Sequence, residues 1–74
     1  SLLPIGVTRI EGVFERGDVV GCMAPDGRLI AKGLVNYTSE EASIIKQQPS
    51  REIERLLGYV DTAELVHRDN LVVL

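Results

Sequence analysis

Short apolar runs separated by polar and glycine-containing turns occupy the first two thirds of the chain, and this pattern is typical of β-strands joined by turns. A short β-prone run covers residues 7–10, and a clearer strand covers residues 19–23. The turn at residues 24–27 follows at once. Because Pro25 pre-sets φ and Gly27 tolerates the left-handed region, this turn predicts a hairpin.

The returning strand is predicted over residues 28–37, and its two faces differ in charge. The wholly uncharged face is expected to enter the core and consists of Leu29, Ala31, Gly33, Val35 and Tyr37. The other face carries Ile30, Lys32, Leu34 and Asn36. A glycine in mid-strand indicates a bulge or a close backbone approach, so Gly33 is expected to have a structural role.

Two short helices are predicted after this strand. Thr38 and Glu41 have capping-box spacing, so the first helix should begin after Thr38 and end before Pro49. The second helix is predicted from a cap, an apolar stripe and a glycine stop: Ser50, Ile53, Leu56, Leu57 and Gly58.

The chain is expected to end in two closing strands, at residues 66–67 and 71–74, around a charged turn at residues 68–70. These elements together predict one mainly β domain with two short helices, a β-barrel-like fold over residues 1–74.

Composition narrows the class of protein. Eight basic and eleven acidic residues give a formal charge of −3, which weighs against a dedicated nucleic-acid binder. The lone Cys22 excludes a disulfide scaffold and fits a reducing, cytoplasmic setting. No apolar run approaches the roughly 18–20 residues that span a bilayer, so no membrane segment is expected. Because the chain begins with Ser1, we expect it to be a piece of a longer protein.

No set of residues in the sequence predicts catalysis. Residues 67–69 (His-Arg-Asp) resemble the catalytic loop of protein kinases, but that loop's partner motifs are missing and a strand turn is the simpler interpretation. His67 and Cys22 do not make a zinc set, which needs three or four ligands. The glycines are scattered rather than grouped into a phosphate loop. We therefore expect no catalytic, cofactor-binding or metal-binding residue in this chain.

Several stretches together resemble the PUA domain, a domain named for pseudouridine synthases and archaeosine transglycosylases. They are residues 1–7, residues 14–20 with Phe14, Gly17 and Asp18, and residues 31–37 with Gly33. With residues 53–59 and 67–74, the resemblance narrows to the C-terminal PUA domains of bacterial glutamate 5-kinases.

The resemblance implies a PUA-like pseudo-barrel of short mixed strands that lacks the family's first strand and helix. Residues 1–74 would then be an N-terminally incomplete PUA domain that leaves a sheet edge or an apolar patch uncovered. We expect a neighbouring chain to cover that surface, in a homo-oligomer. Phe14, Gly17, Asp18 and Gly33 would be structural residues of the motif.

The resemblance also implies a function. The domain would be non-catalytic and would modulate assembly or regulation of an enzyme that phosphorylates L-glutamate in proline biosynthesis. ATP and magnesium would bind the N-terminal amino-acid-kinase domain of the same polypeptide.

Two alternatives stay open: an RNA-binding PUA module, and an interaction scaffold of another PUA protein. The candidate RNA contacts are Arg9, Arg16, Arg28, Lys32 and Arg68, beside the loop at residues 3–7, although the acidic net charge does not support RNA.

Overall fold

The computed structural model describes all 74 residues, and it is built around one three-stranded antiparallel sheet. In chain order the elements are a 3-10 turn Pro4–Gly6, β1 Val19–Met23, β2 Leu29–Val35, α1 Ser39–Ile45, a 3-10 turn Ser50–Glu52, α2 Ile53–Leu57 and β3 Val66–Val73. The central strand is β2. The mainly β fold with two short helices is confirmed. Both strand pairings are antiparallel, so the mixed pairing expected of the pseudo-barrel does not occur among these residues.

The strand expected at residues 7–10 is absent. Residues 8–13 exchange no backbone hydrogen bond with the rest of the chain. Val7 and Ile10 nevertheless pack against the core with their side chains. An apolar run becomes a strand only when a partner strand supplies hydrogen bonds, and none lies beside this segment.

The hairpin between β1 and β2 is confirmed. The Ala24 amide donates to the Arg28 carbonyl at 2.9 Å, and the Gly27 amide donates to the Ala24 carbonyl at 2.9 Å. Gly27 has a φ of +88°, a backbone conformation that glycine adopts without strain.

The sequence predicts Leu29 on the core face of β2. A register shift in the pairing of β1 with β2, next to the hairpin turn, places it on the other face. The shift lies between Cys22 and Met23, so that Met23 pairs with Leu29. Leu29 Cδ1 lies 2.8 Å from the point where a Cβ of Gly21 would stand, and the residue is 38% exposed. A bulge turns the side chains beyond it to the other face of the strand, and this explains the error.

The core is centred on the two helices and on the segments that follow β2 and precede β3. Its central cluster is Tyr37, Ala42, Ile45, Ile53 and Leu65, each at most 3% exposed. Ala31, Gly33, Val35 and Tyr37 are buried as expected. Leu56 and Leu57 pack against the cluster from α2, so the predicted apolar stripe is confirmed.

Tyr37 has both a buried ring and a fully used hydroxyl. The hydroxyl donates to the Thr62 carbonyl at 2.6 Å and accepts from the amides of Asp61 and Thr62 at 3.2 Å each. One side chain from the end of β2 therefore ties the loop between α2 and β3 to the core.

The helix ends follow the expected signals with one exception. Thr38 and Glu41 form the predicted capping box of α1. Gly58 ends α2 with a φ of +82°. Ser50 does not cap a helix; it begins a 3-10 turn, and its hydroxyl donates to the Ala63 carbonyl at 3.1 Å. The sequence predicts that the Ser50 hydroxyl caps the helix, but this hydroxyl instead donates a hydrogen bond to a carbonyl thirteen residues away.

A single strand, β3, replaces the two closing strands that were expected. Gly33 pairs with Leu71, and Val35 pairs with Val66, so residues 67–70 of β3 lie opposite one residue of β2. The charged residues thus form a wide bulge within one strand rather than a turn between two strands.

Gly33 lies beneath this bulge. A Cβ at Gly33 would stand 2.5 Å from Val66 Cγ1 and 2.6 Å from the Asn70 carbonyl oxygen. Both distances are far below van der Waals contact. The bulge can therefore cross β2 here only because position 33 has no side chain.

We predict that Gly33→Ala lowers the free energy of unfolding by about 1–3 kcal/mol, because the added methyl group overpacks the crossing. Urea denaturation measures this loss. The control is Gly6→Ala, where a Cβ meets nothing within 4 Å and the expected change is within about 0.5 kcal/mol. Equal stability of the two variants would contradict the close approach.

Tyr37→Phe should lower the same free energy by about 1–3 kcal/mol, because the loop amides and the Thr62 carbonyl lose their partner while the ring is kept. Hydrogen exchange at the amides of Asp61 and Thr62 should speed up in this variant. Unchanged exchange at both amides would show that the hydroxyl does not hold the loop.

Candidate functional site

The motif residues of the PUA resemblance form a tight turn fixed to β2. The Asp18 carboxylate accepts from the Glu15 amide at 2.9 Å, and Gly17 has a φ of +86°. The Gly17 amide donates to the Val35 carbonyl at 2.8 Å, and the Val35 amide donates to the Asp18 carbonyl at 3.0 Å. This arrangement extends the sheet beyond β1 and uses the Asp18 carboxylate locally.

Phe14 joins the same turn to α1. Its amide donates to the Ser39 hydroxyl at 3.2 Å, and the Ser39 amide donates to the Phe14 carbonyl at 3.0 Å. The Phe14 side chain packs against the core cluster. The ring is thus engaged in packing and is not a free stacking platform.

The basic residues considered for RNA contact lie on separate elements. Arg9 pairs with Glu11, Arg16 pairs with Asp61, and Arg68 lies 3.9 Å from Asp69, all with exposed side chains. No two of these cations share a carboxylate partner. Adjacent carboxylates weaken the field that would attract a phosphate backbone.

Lys32 and Arg28 differ from the other candidates, because neither has a carboxylate partner within 4.0 Å. Arg28 directly precedes β2 beside the hairpin turn, where its amide donates to the Asp26 carboxylate at 2.9 Å. Lys32 lies at the middle of β2 and is exposed. The positive charges of Arg28 and Lys32 are therefore not neutralised by a neighbouring carboxylate.

A surface polar cluster of Arg16, Glu41, Tyr59 and Asp61 was missed in the sequence. The Tyr59 hydroxyl donates to Glu41, whose other carboxylate oxygen accepts from the Thr38 amide at 3.0 Å. The rings of Tyr59 and Tyr37 lie 6.3 Å apart. Nothing local predicts these contacts, because Tyr59 and Glu41 are eighteen residues apart.

The pKa values in this cluster favour one protonation state. Burial alone raises the pKa of Glu41, but hydrogen bonds from Tyr59 and Thr38 outweigh it and the net pKa is lowered. The hydrogen bond to Glu41 is the largest cause of the raised pKa of Tyr59. At neutral pH the tyrosine stays protonated and the glutamate stays ionised, so the pair acts as a clamp and not as an acid–base couple.

The side chains of this chain form no cluster of the kind that holds a metal ion. No three His, Cys, Asp or Glu side chains are grouped so as to hold a metal ion. Burial raises the pKa of the Cys22 thiol, which favours its protonated form at neutral pH. None of the helices has the length and apolarity needed to cross a membrane.

The largest concave feature is an open, mainly apolar groove of about 840 Å³. It lies between the irregular segment at residues 6–14 and the sheet. Its apolar lining includes Val7, Ile10, Val20, Cys22, Val35 and Val66. At its rim Val13 is 92% exposed. An uncovered apolar surface is therefore present.

The clamp yields a pH-dependent prediction for Tyr59→Phe. The pKa of Tyr59 is raised in the folded state. The stability contributed by its hydrogen bond to Glu41 is therefore fully present below the unfolded tyrosine pKa of about 10, and it is lost as the pH rises through the pKa of the folded state. The wild-type protein should be the more stable one at neutral pH, and the difference should shrink above about pH 10. Thermal unfolding across this range measures it.

Glu41→Gln is the control, since glutamine keeps the capping box but removes the charge. Adding it to Tyr59→Phe should cost little more stability, because the partner hydroxyl is already gone. A stability difference that stays constant into strong alkali would contradict the clamp.

Comparison with known proteins finds close relatives over the whole chain. The chain is 61% identical over 74 residues to a glutamate 5-kinase of Thioalkalivibrio sulfidiphilus and 62% identical over 74 residues to one of Laribacter hongkongensis. A glutamate 5-kinase of Burkholderia multivorans is 57% identical over the same length. Each match covers all of this chain and 20% of the relative, so the chain spans about a fifth of the curated relatives' length.

A family model matches most of the chain. The description of that model is "PUA domain", and the match covers residues 1–57, which include the turn at residues 14–18, the hairpin and both helices. The chain therefore belongs to the PUA domain family.

Proposed function

We propose that this chain is the C-terminal, non-catalytic PUA domain of a glutamate 5-kinase and that it modulates the assembly or regulation of that enzyme. The observation that carries the proposal is identity of 57–62% over the full 74 residues to proteins of that name. The chain spans only a fifth of those proteins, so four-fifths of each is left to hold the kinase machinery.

In this proposal, transfer of phosphate from ATP to L-glutamate, for proline biosynthesis in the cytoplasm, takes place on an amino-acid-kinase domain upstream in the same polypeptide. Magnesium and ATP bind there. The polar groups described here have structural partners: the Glu41 carboxylate caps α1, and the Tyr37 hydroxyl holds a loop. This use of the side chains supports an accessory role.

The domain is proposed to be completed by residues that precede Ser1, forming a strand and a helix of roughly twenty residues. The open groove supports this, because its walls are apolar and one wall lacks all backbone pairing from residue 8 to residue 13. Backbone groups without partners gain free energy when a strand or helix supplies them.

The test uses a chimeric kinase, defined as the Thioalkalivibrio sulfidiphilus relative with its matching residues replaced by this chain. A second protein lacks the matching fifth altogether. We expect the chimera to form glutamate 5-phosphate from glutamate and ATP. The shortened protein should keep that reaction while its oligomeric state or its response to proline changes. Loss of the reaction in a shortened protein that still assembles would overturn the non-catalytic role.

RNA binding is tested on the same chimera. We expect no binding of structured RNA at low salt, because three of the basic candidates have adjacent carboxylates. A salt titration in fluorescence anisotropy measures this. Micromolar binding that weakens steeply with salt and falls in Lys32→Ala, but not in Lys46→Ala, would favour the RNA-binding alternative.

A further inference from the structure

The face of the sheet turned away from the core is apolar and uncovered. Directly paired residues of neighbouring strands share a face, so Val19 lies beside Leu34 and Lys32 lies beside Val72. Met23 and Leu29 continue this face past Gly21. We call these residues the outer face: Val19, Met23, Leu29, Lys32, Leu34 and Val72.

The side chains of the outer face are poorly suited to water. Five of the six are apolar, and they are between 38% and 68% exposed. When one face of an antiparallel sheet is solvated, the residues on that face are normally polar and alternate along each strand with the buried residues of the other face. Since the opposite face already carries the buried residues Ala31, Val35 and Val66, this sheet is built to be covered on both sides. A contiguous exposed apolar patch of this kind marks an interaction surface.

Lys32 is the one charged side chain on the outer face. It lies between Gly21 and Val72 in the middle of the face. No carboxylate of this chain lies within 4.0 Å of it, whereas Arg16 and Arg55 both have one. A cation surrounded by apolar side chains and covered by a partner needs a counter-charge, because burying it unpaired is costly.

We propose that the outer face docks onto an apolar protein surface that presents a carboxylate to Lys32, and that this surface belongs to the remaining four-fifths of the kinase polypeptide. The identification of that polypeptide rests on the proposed function. The chemistry of the surface rests on the outer face alone.

The charge of the outer face argues against other occupants. A second copy stacked about the centre of the face would place Lys32 beside the same lysine of the other copy, and like charges in that position repel. Single-stranded nucleic acid stacks on aromatic rings and follows several cations. The outer face has no aromatic ring and a single cation.

The experiment measures thiol labelling in the chimeric kinase, with each labelled cysteine identified by peptide mass spectrometry. Val72→Cys reports on the outer face, and Val19→Cys is a second reporter in case the first variant folds poorly. Ile44→Cys on α1 is the control, since Ile44 is 51% exposed and lies away from the sheet. We expect labelling at position 72 to be at least about tenfold slower than at position 44, because a docked face opens only part of the time.

Charge variants test the carboxylate. Lys32→Glu should raise the labelling rate at position 72 towards that of the control, and Lys32→Arg should leave it slow. Equal rates at positions 72 and 44 without any charge change would overturn the docking. Slow labelling that is unaffected by Lys32→Glu would overturn the carboxylate, and protection that disappears on dilution would identify a second copy instead.

Turnover of the same chimera reports separately on the proposed function. An inactive chimera with a protected outer face would contradict the kinase assignment and keep the docking surface. An active chimera whose outer face labels as fast as the control would support the kinase assignment and overturn the docking surface.

Discussion

The fold depends on the close packing of β3 and of the turn at residues 14–18 against the central strand β2. At Gly33 the bulged strand β3 crosses so near that a single methyl group would stand 2.5 Å from Val66. Two residues later, Val35 bonds the turn at residues 14–18 through both its amide and its carbonyl, and it also pairs with Val66. Moving β2 would therefore disturb the motif turn and β3 together.

The same strand organises the polar groups. It leads directly into Tyr37, whose hydroxyl makes three hydrogen bonds to the loop at residues 61–62, and then into the capping box of α1. Arg16 and Asp61 close this region at the surface, beside the hydrogen bond between Tyr59 and Glu41. The carboxylates and hydroxyls of this region thus make hydrogen bonds and ion pairs that join loops to helices.

Two apolar surfaces, the groove and the outer face, meet along β1, where Val19 and Met23 belong to both, and they have different origins. The groove lies along the segment at residues 8–13, which has no backbone partner. The outer face arises because β1, β2 and β3 all carry apolar residues on both of their sides. A chain of this length buries only about 60–65% of its unfolded surface, so covering both surfaces would add substantially to its stability.

Features set by neighbouring residues could be predicted from the sequence. The hairpin at residues 24–27, the capping box at Thr38 and the stop at Gly58 depend on φ preferences and on hydrogen bonds that reach three or four residues along the chain. The buried face of β2 follows from a two-residue period. The family resemblance also extended along the whole chain, because it depends on the order of residues alone.

Tertiary structure alone decided the features that depend on partners distant in sequence. Residues 7–10 have the pattern of a strand but no strand beside them, and the hydroxyl of Ser50 is taken by Ala63 rather than by a helix end. A register shift after Cys22 placed Leu29 on the outer face, and a bulge merged two expected strands into β3. The clamp between Glu41 and Tyr59 was likewise invisible in the sequence. A pattern records what a residue prefers, whereas these outcomes depend on which distant group the folded chain places within hydrogen-bonding or packing distance.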